Sequence, residues 1–224
     1  MRTPNSDPSG KMTFATRDEA GRLLGRYLKG RAVQADLVLG LPRGGVIVAA
    51  QVARALQAPL DVLIVRKIGH PWQREFAVGA LAEPDVVLLD RAVIGADAAL
   101  HRALKDIVRE EQERLQIYRR TFHLAPPPVL EDKVVILVDD GLATGATTEA
   151  AVLSARKQGA ARIVVATPVA SEDAVRRLSE VAHEVIVLHV DEHFDAVGRY
   201  YAVFDQTTDE EVCAVLRQGQ ANVG

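Results

Sequence analysis

The stretch VVILVDDGLATGATTEAAV, residues 134–152, holds five apolar residues, two adjacent carboxylates, a loop of small residues and the start of a helical pattern. Apolar side chains at every position, rather than at alternate ones, fit a strand covered on both faces, as in a parallel sheet. Asp139 and Asp140 would then stand at the carboxyl end of a buried strand, where open α/β sheets carry their ligand sites. The loop that follows enters a helix N-terminus, whose free backbone N–H groups and positive dipole end suit a phosphate. Thr144 and Thr147 add hydroxyl donors there without adding bulk. Carboxylates beside a phosphate repel it unless something neutral lies between. A sugar ring does this, because vicinal hydroxyls donate to carboxylate oxygens while the 5′-phosphate reaches the loop. Residues 139–147 therefore read as a clamp for a ribose 5-phosphate. No Lys stands in the loop, which excludes a Walker A site, and the dinucleotide fingerprint G-x-G-x-x-G is absent.

Outward from this stretch the same alternation of strand and helix recurs. Toward the C-terminus the pattern predicts a helix over 146–158, a strand over 162–167, a helix over 172–181 and a strand over 184–188. Toward the N-terminus, DLVLGL and LDVLIV read as strands separated by PRGGVIVAAQVARALQAP, which has helical length and composition. TRDEAGRLLGRYL opens with Thr16 and Glu19 at capping-box spacing and puts Leu23, Leu24, Tyr27 and Leu28 on one helical face. FAVGALAEPDVVLLD reads as a hairpin turning near Pro84 and Asp85. A polar helix follows over 97–118, with its apolar stripe on Leu100, Leu104, Ile107, Leu115 and Tyr118. The sum is a doubly wound α/β fold with a mainly parallel sheet and flanking helices.

Of the 224 residues, 48% are hydrophobic and 25% charged, an ordinary globular balance. A net charge of -3 offers no basic field for nucleic acid, so any anion site must be local. The single Cys213 makes no internal disulfide and no metal-type Cys pair exists, which fits a reducing compartment. MRTPNSDPSGKM lacks the apolar segment of a signal peptide, and no apolar run approaches the length of a membrane span, so a cytoplasmic protein is expected. Residues 1–13 are expected to be a disordered tail and 14–224 a single domain.

The acid pair with its T-G-x-T loop resembles the phosphoribosyl pyrophosphate binding motif of the type I phosphoribosyltransferases. LVLGLPRGGVIVA resembles that family's pyrophosphate loop, and VRKIGHPWQREFAVGAL stands where its flexible catalytic loop stands. The segments LPRGG, RKIG, EFAVGA, AVGRYY and FDQTTDEEV are most similar to a subfamily of phosphoribosyltransferases whose acceptor is not assigned. The resemblance implies the type I phosphoribosyltransferase fold with a small lid inserted at about 68–125 and a C-terminal hood at about 189–224. It implies a Mg2+-dependent enzyme, a homodimer, that moves ribose 5-phosphate from phosphoribosyl pyrophosphate to a nitrogenous acceptor, a nucleobase. A noncatalytic sensor of the same ligand is the alternative; the Arg-Lys loop and the lack of a basic extension favour the enzyme.

Carried onto this sequence, the resemblance gives roles to particular residues. Arg43 is expected at the pyrophosphate, with Gly44 and Gly45 letting the backbone approach and a cis peptide between Pro42 and Arg43. Arg66, Lys67 and Arg74 flank Gly69, His70 and Pro71 in a lid that brings positive charge to the site, Lys67 acting in catalysis with Arg43. Asp139 and Asp140 hold the ribose and, through water and substrate, Mg2+; Ala143, Thr144, Gly145, Ala146 and Thr147 hold the 5′-phosphate. Ala143 stands where 6-oxopurine enzymes carry an Asp, which argues against hypoxanthine or guanine as the acceptor. In LHVDEHFDAVGRYYAVF, Phe194, Tyr200 and Tyr201 are candidates for stacking an acceptor, Phe194 and Tyr200 first. His189, Asp191, Glu192 and His193 lack helical i, i+4 alignment and read as polar surface rather than a metal site.

Overall fold

Each central strand feeds two cores. The computed structural model describes residues 13–90, 94–95 and 98–221. In chain order these form α1 (Arg17–Gly30), β1 (Leu37–Gly40), α2 (Gly44–Leu56), β2 (Leu60–Val62), β3 (Val65–His70), β4 (Gln73–Ala82), β5 (Val86–Leu89) and α3 (Ala98–Phe122). Then follow β6 (Val134–Val138), α4 (Ala146–Lys157), β7 (Arg162–Ser171), α5 (Glu172–Ser179), β8 (Glu184–Asp191), a 3-10 turn (Val197–Tyr200) and α6 (Asp209–Ala221). Five strands pair in parallel in the order β2-β1-β6-β7-β8. Val38, Ile136, Val138, Val164 and Ala166 pack on one face with Leu24 and Leu28 of α1, Val46 and Val52 of α2, and Val212 and Leu216 of α6. Leu37, Leu39, Val135, Leu137, Ile163 and Val165 pack on the other with Ala150 and Ala155 of α4 and Leu178 of α5. Side chains still alternate across the sheet, but both faces are dry, so the sequence shows no alternation.

A second, antiparallel sheet, β3-β4-β5, packs between the second core and α3. The run LDVLIV is not one strand. β2 ends at Val62, Leu63 N–H still bonds the Gly40 carbonyl at 3.1 Å, and Ile64 N–H turns to Oε1 of Glu83 at 2.8 Å. The segment VRKIGHPWQREFAVGAL, expected as a mobile loop, forms β3 and most of β4 around a turn at Pro71 and Trp72. Ile68, Val78 and Leu81 carry its buried face beneath Leu100, Leu104 and Ile107 of α3, a pattern hidden in the sequence by the charges at 66 and 67. The turn at 83–85 falls where it was expected.

Thr16 caps α1 as its spacing predicts, accepting from Glu19 N–H at 3.2 Å. The buried side of α1 is Ala20, Gly21, Leu24, Gly25 and Leu28, whereas Tyr27 is exposed and lies under the Arg31 guanidinium. Of the stretch read as a hood, 189–224, residues 209–221 form α6, which packs into the first core through Val212, Cys213 and Leu216. The expected tail falls outside the described residues apart from Thr13, as do residues 222–224. No helix among the described residues is long and apolar enough to cross a membrane.

Charged groups join the base of the hairpin to the core. Glu83, buried before the cis Pro84, bonds Nε2 of His123 at 2.9 Å and lies 3.1 Å from Nε of Arg119, while Nδ1 of His123 is 3.5 Å from Asp61 of β2. Burial works to lower the His123 pKa, but the hydrogen bonds and charges of Asp61 and Glu83 outweigh it and raise it to about 9. A folded pKa above the unfolded value gives stability that is fully present below about 6.5 and is lost as the pH climbs through about 9. His123→Gln should therefore cost about 3 kcal/mol near pH 6, the scale of breaking a buried ion pair, and much less near pH 10. Urea denaturation at the two pH values checks this; an equal loss at both overturns a protonated His123.

Candidate functional site

β1 and β6 are paired in register, Gly40 opposite Val138, and Leu41 N–H donates to the Val138 carbonyl at 2.9 Å. The two strands thus end at one level, and the turns that leave them run side by side. The chain starts the sheet at β1, moves outward to β2 and returns to β6 on the other flank of β1. This is the topological switch point, where doubly wound folds open a crevice. Two helices start there, α2 at Gly44 and α4 at Ala146, and neither has a side-chain cap at the preceding Arg43 or Gly145. Elsewhere Thr16, Ser171 and Thr208 cap α1, α5 and α6. Free N–H donors are therefore concentrated at the switch point, where they suit an anion.

The acid pair lies against the first turn of α2. A Cβ on Gly44 would fall 2.0 Å from Oδ2 of Asp140 and 2.6 Å from Nε of Arg17; one on Gly45 would fall 3.0 Å from Oδ1 of Asp139. Both glycines are required by this close approach. The peptide between Pro42 and Arg43 is cis, as the resemblance implies. Nε of Arg17 donates to Oδ2 of Asp140 at 2.7 Å, and the Tyr201 hydroxyl donates to the Asp140 carbonyl at 2.6 Å. Burial and the Asp140 charge keep the Tyr201 phenol protonated by pushing its pKa up. Burial and the adjacent Asp140 carboxylate also hold the Asp139 carboxyl well above the usual range, against the pull of the Asp140 amide and the Lys67 charge.

Beside these carboxylates opens a cavity of about 410 Å3 lined by Pro42, Arg43, Ile64, Val65, Arg66, Lys67, Tyr118 and Thr147. It brings together the turn before α2, the first turn of α4 and the two cations of β3. Arg43 is only loosely held, 3.7 Å from Asp209 at the start of α6. Arg66 is held more firmly, by Oε2 of buried Glu111 at 2.9 Å and with its guanidinium over the Tyr118 ring. Arg74 is apart from this cavity, paired on the surface with Glu110. In the loop before α4, Ala143 accepts from the Ser171 hydroxyl at 2.6 Å, and Thr144 Oγ1 lies 3.4 Å from Ala146 N–H.

Of the residues expected to stack an acceptor, packing removes Tyr200 and leaves Phe194 partly exposed. Tyr200 is fully buried, stacked on Phe194 at 5.1 Å with its hydroxyl donating to Asp191, so it has no face open to a ligand. The aromatic residue that reaches the acid pair is its neighbour Tyr201. Among the described residues no group of three or more His, Cys, Asp or Glu is placed to hold a metal ion. For Mg2+, a cation that takes one or two carboxylates and fills its shell with water and substrate oxygens, Asp139 and Asp140 are a fitting donor set. Sequence reasoning missed Arg17, Tyr118 and Glu111. Arg17 stands 123 residues from Asp140, and a helix's first residue gives no signal of such a partner.

Fold and site together define a doubly wound α/β protein whose switch point brings an acid pair and two uncapped helix starts together. Residues 15–202 match the phosphoribosyl transferase domain family, and the chain belongs to that family. A Mycobacterium tuberculosis protein named as a putative phosphoribosyl transferase is 46% identical over 208 residues, 91% of this chain and 46% of the relative. The chain thus spans about half the length of the curated relatives it matches. The crystal structure of TT1426 from Thermus thermophilus is similar at 43% identity and a TM-score of 0.76, over 92% of this chain and 99% of that one. The Aquifex aeolicus protein AQ2163, 15% identical with a TM-score of 0.50 over 81% of this chain and 78% of that one, shares the fold.

Packing at Gly44 gives a direct check. Gly44→Ala drives a methyl into the Arg17–Asp140 pair and should lower stability by about 1–3 kcal/mol, the scale of overpacking. Gly30→Ala, where a Cβ meets nothing within 4 Å, should not. Thermal melts of the two variants decide; equal melting temperatures overturn the close approach.

Proposed function

We propose that the protein is a Mg2+-dependent phosphoribosyltransferase that moves ribose 5-phosphate from phosphoribosyl pyrophosphate to a nitrogen of a heterocyclic acceptor, of the nucleobase class, releasing pyrophosphate. The observation that carries this is the meeting of unlike groups at the strand ends. The acid pair packs against the first turn of α2, while Arg43, Arg66, Lys67 and Thr147 of α4 line one adjoining cavity. Asp139 and Asp140 accept the ribose hydroxyls, and residues 143–147 take the 5′-phosphate on the N–H groups of α4. Arg43, with the uncapped first turn of α2, takes the pyrophosphate. As the C1–O bond breaks, its electron pair leaves with the pyrophosphate, and the acceptor nitrogen forms the new bond to C1 and gives up its proton. Charge therefore accumulates on the leaving group, where fixed cations stabilise the transition state more than the ground state. Asp139 and Asp140 would hold Mg2+, largely through water and substrate, and when bound it would supply further charge neutralisation of the pyrophosphate. A single, buried Cys213 fits a reducing, cytoplasmic setting.

Titration calorimetry with phosphoribosyl pyrophosphate and Mg2+, followed by a pyrophosphate-release screen over nucleobases, tests the reading. Binding and release are expected; binding without release for any acceptor replaces the enzyme by a sensor, and no binding overturns both. Thr144→Val should weaken ribose 5-phosphate and phosphoribosyl pyrophosphate alike, since both carry the 5′-phosphate. If only the larger ligand suffers, the loop holds the wrong phosphate. Arg43→Ala should lower the rate of pyrophosphate release by about 10–1000-fold, the scale of one charge-stabilising donor, while ribose 5-phosphate affinity barely changes. An equal loss of affinity for both ligands without a rate effect would remove Arg43 from the pyrophosphate.

A further inference from the structure

The family motif spans the acid pair and its loop, yet the most constrained guanidinium near it comes from the other end of the chain. Arg17 is the first residue of α1, set in place by the Thr16 cap, and its side chain is only 12% exposed. Three contacts fix its plane. Nε donates to Oδ2 of Asp140 at 2.7 Å, Nη1 donates to the Asp205 carbonyl at 2.7 Å, and the group lies 3.8 Å from the centre of the Phe204 ring. Phe204 is itself stacked on Tyr201 at 5.1 Å, and Tyr201 bonds the backbone carbonyl of Asp140. The main chain and the carboxylate of Asp140 are thus both held by residues 201–205, directly or through Arg17.

We propose that Arg17 is a positioning residue of the ribose subsite, acting on a bound ribose through Asp140 and coupling that carboxylate to the C-terminal segment 201–205. This rests on the phosphoribosyl pyrophosphate reading above. A carboxylate at the end of a strand can rotate about two bonds, and a hydroxyl donor gains from it only in one orientation. Arg17 engages Oδ2 alone, so it orients the carboxylate while leaving Oδ1 outside its reach. A secluded ion pair adds little net stability, because desolvation offsets the attraction, and orientation is therefore the larger effect of this one. Nor is the arginine interchangeable with lysine: bonding a carboxylate and a carbonyl from one plane while stacking on a ring needs the guanidinium fork. Gly44 closes the arrangement, since any side chain there would displace both partners.

The test compares wild type, Arg17→Met, Arg17→Lys, Asp140→Asn and the double variant Arg17→Met/Asp140→Asn by calorimetry. Ribose 5-phosphate is the ligand, and inorganic phosphate is the control that lacks hydroxyls. Arg17→Met should weaken ribose 5-phosphate by about tenfold, the scale of one charge-assisted hydrogen bond, and change phosphate binding by less than about twofold. Arg17→Lys should recover only part of the loss, and it serves alone, with the same contrast between ligands, if Arg17→Met does not fold. In the Asp140→Asn background, Arg17→Met should add nothing further. Unchanged ribose 5-phosphate affinity, equal losses for both ligands, or additive losses in the double variant each overturn the proposal. Wild type that binds ribose 5-phosphate while Arg17→Met matches it sinks this inference alone; wild type that binds neither ribose 5-phosphate nor phosphoribosyl pyrophosphate removes the parent reading and this one with it.

Discussion

No side chain fits between the first turn of α2 and Asp140, and much of the cleft depends on that contact. With hydrogens at 44 and 45, the helix start can settle against both carboxylates. This aims the uncapped N–H groups of α2 into the same crevice as those of α4. Because β1 and β6 end in register, the turns that lead to the two helices leave the sheet at one level. The geometry of the cleft thus follows from a parallel sheet with its strand ends level and from two missing methyl groups.

The electrostatics follow from this packing. Burial and the neighbouring carboxylate push Asp139 toward its neutral form, while Asp140 has Arg17 as a direct partner. The negative side of the cleft is therefore weaker than a count of two aspartates suggests. On the positive side, Arg66 already has Glu111 and Tyr118 as partners, while Arg43 has only a distant carboxylate. Of the two arginines, Arg43 can turn to an incoming anion with the smaller loss of existing contacts.

The strands over 134–138 and at 37–40, the capped start of α1 and the turn at 83–85 were legible in the sequence because each rests on a local rule. These rules are uninterrupted apolar runs, a capping box, and proline in a turn. The acid pair and its loop were legible because strand, charges and helix start are contiguous. The hairpin β3–β4 was not, since its inward positions are separated by charged residues that face the cleft and α3. Arg17 and Glu111 were invisible for a different reason: each acts across a long sequence gap, on a partner chosen only by the tertiary fold. Tyr200 and Tyr201 show the limit most sharply. Adjacent and chemically identical, both are buried, yet one hydroxyl bonds Asp191 and the other reaches Asp140.

The charged joint at Glu83, His123 and Asp61 gives the antiparallel sheet the mechanics of a lever. Its fulcrum is where Val65 pairs with Ala82, next to Glu83, and its free end is the turn bearing the exposed Trp72. At about 3.3 Å per strand residue, Arg66 and Lys67 stand within roughly 7 Å of the fulcrum, and the tip lies on the order of 20 Å away. A swing of the whole hairpin therefore sweeps Trp72 through a wide arc while displacing the two cations by about a third as much or less. The short arm keeps the charges registered with the cleft, while beyond it the Arg74–Glu110 pair ties the long arm to α3.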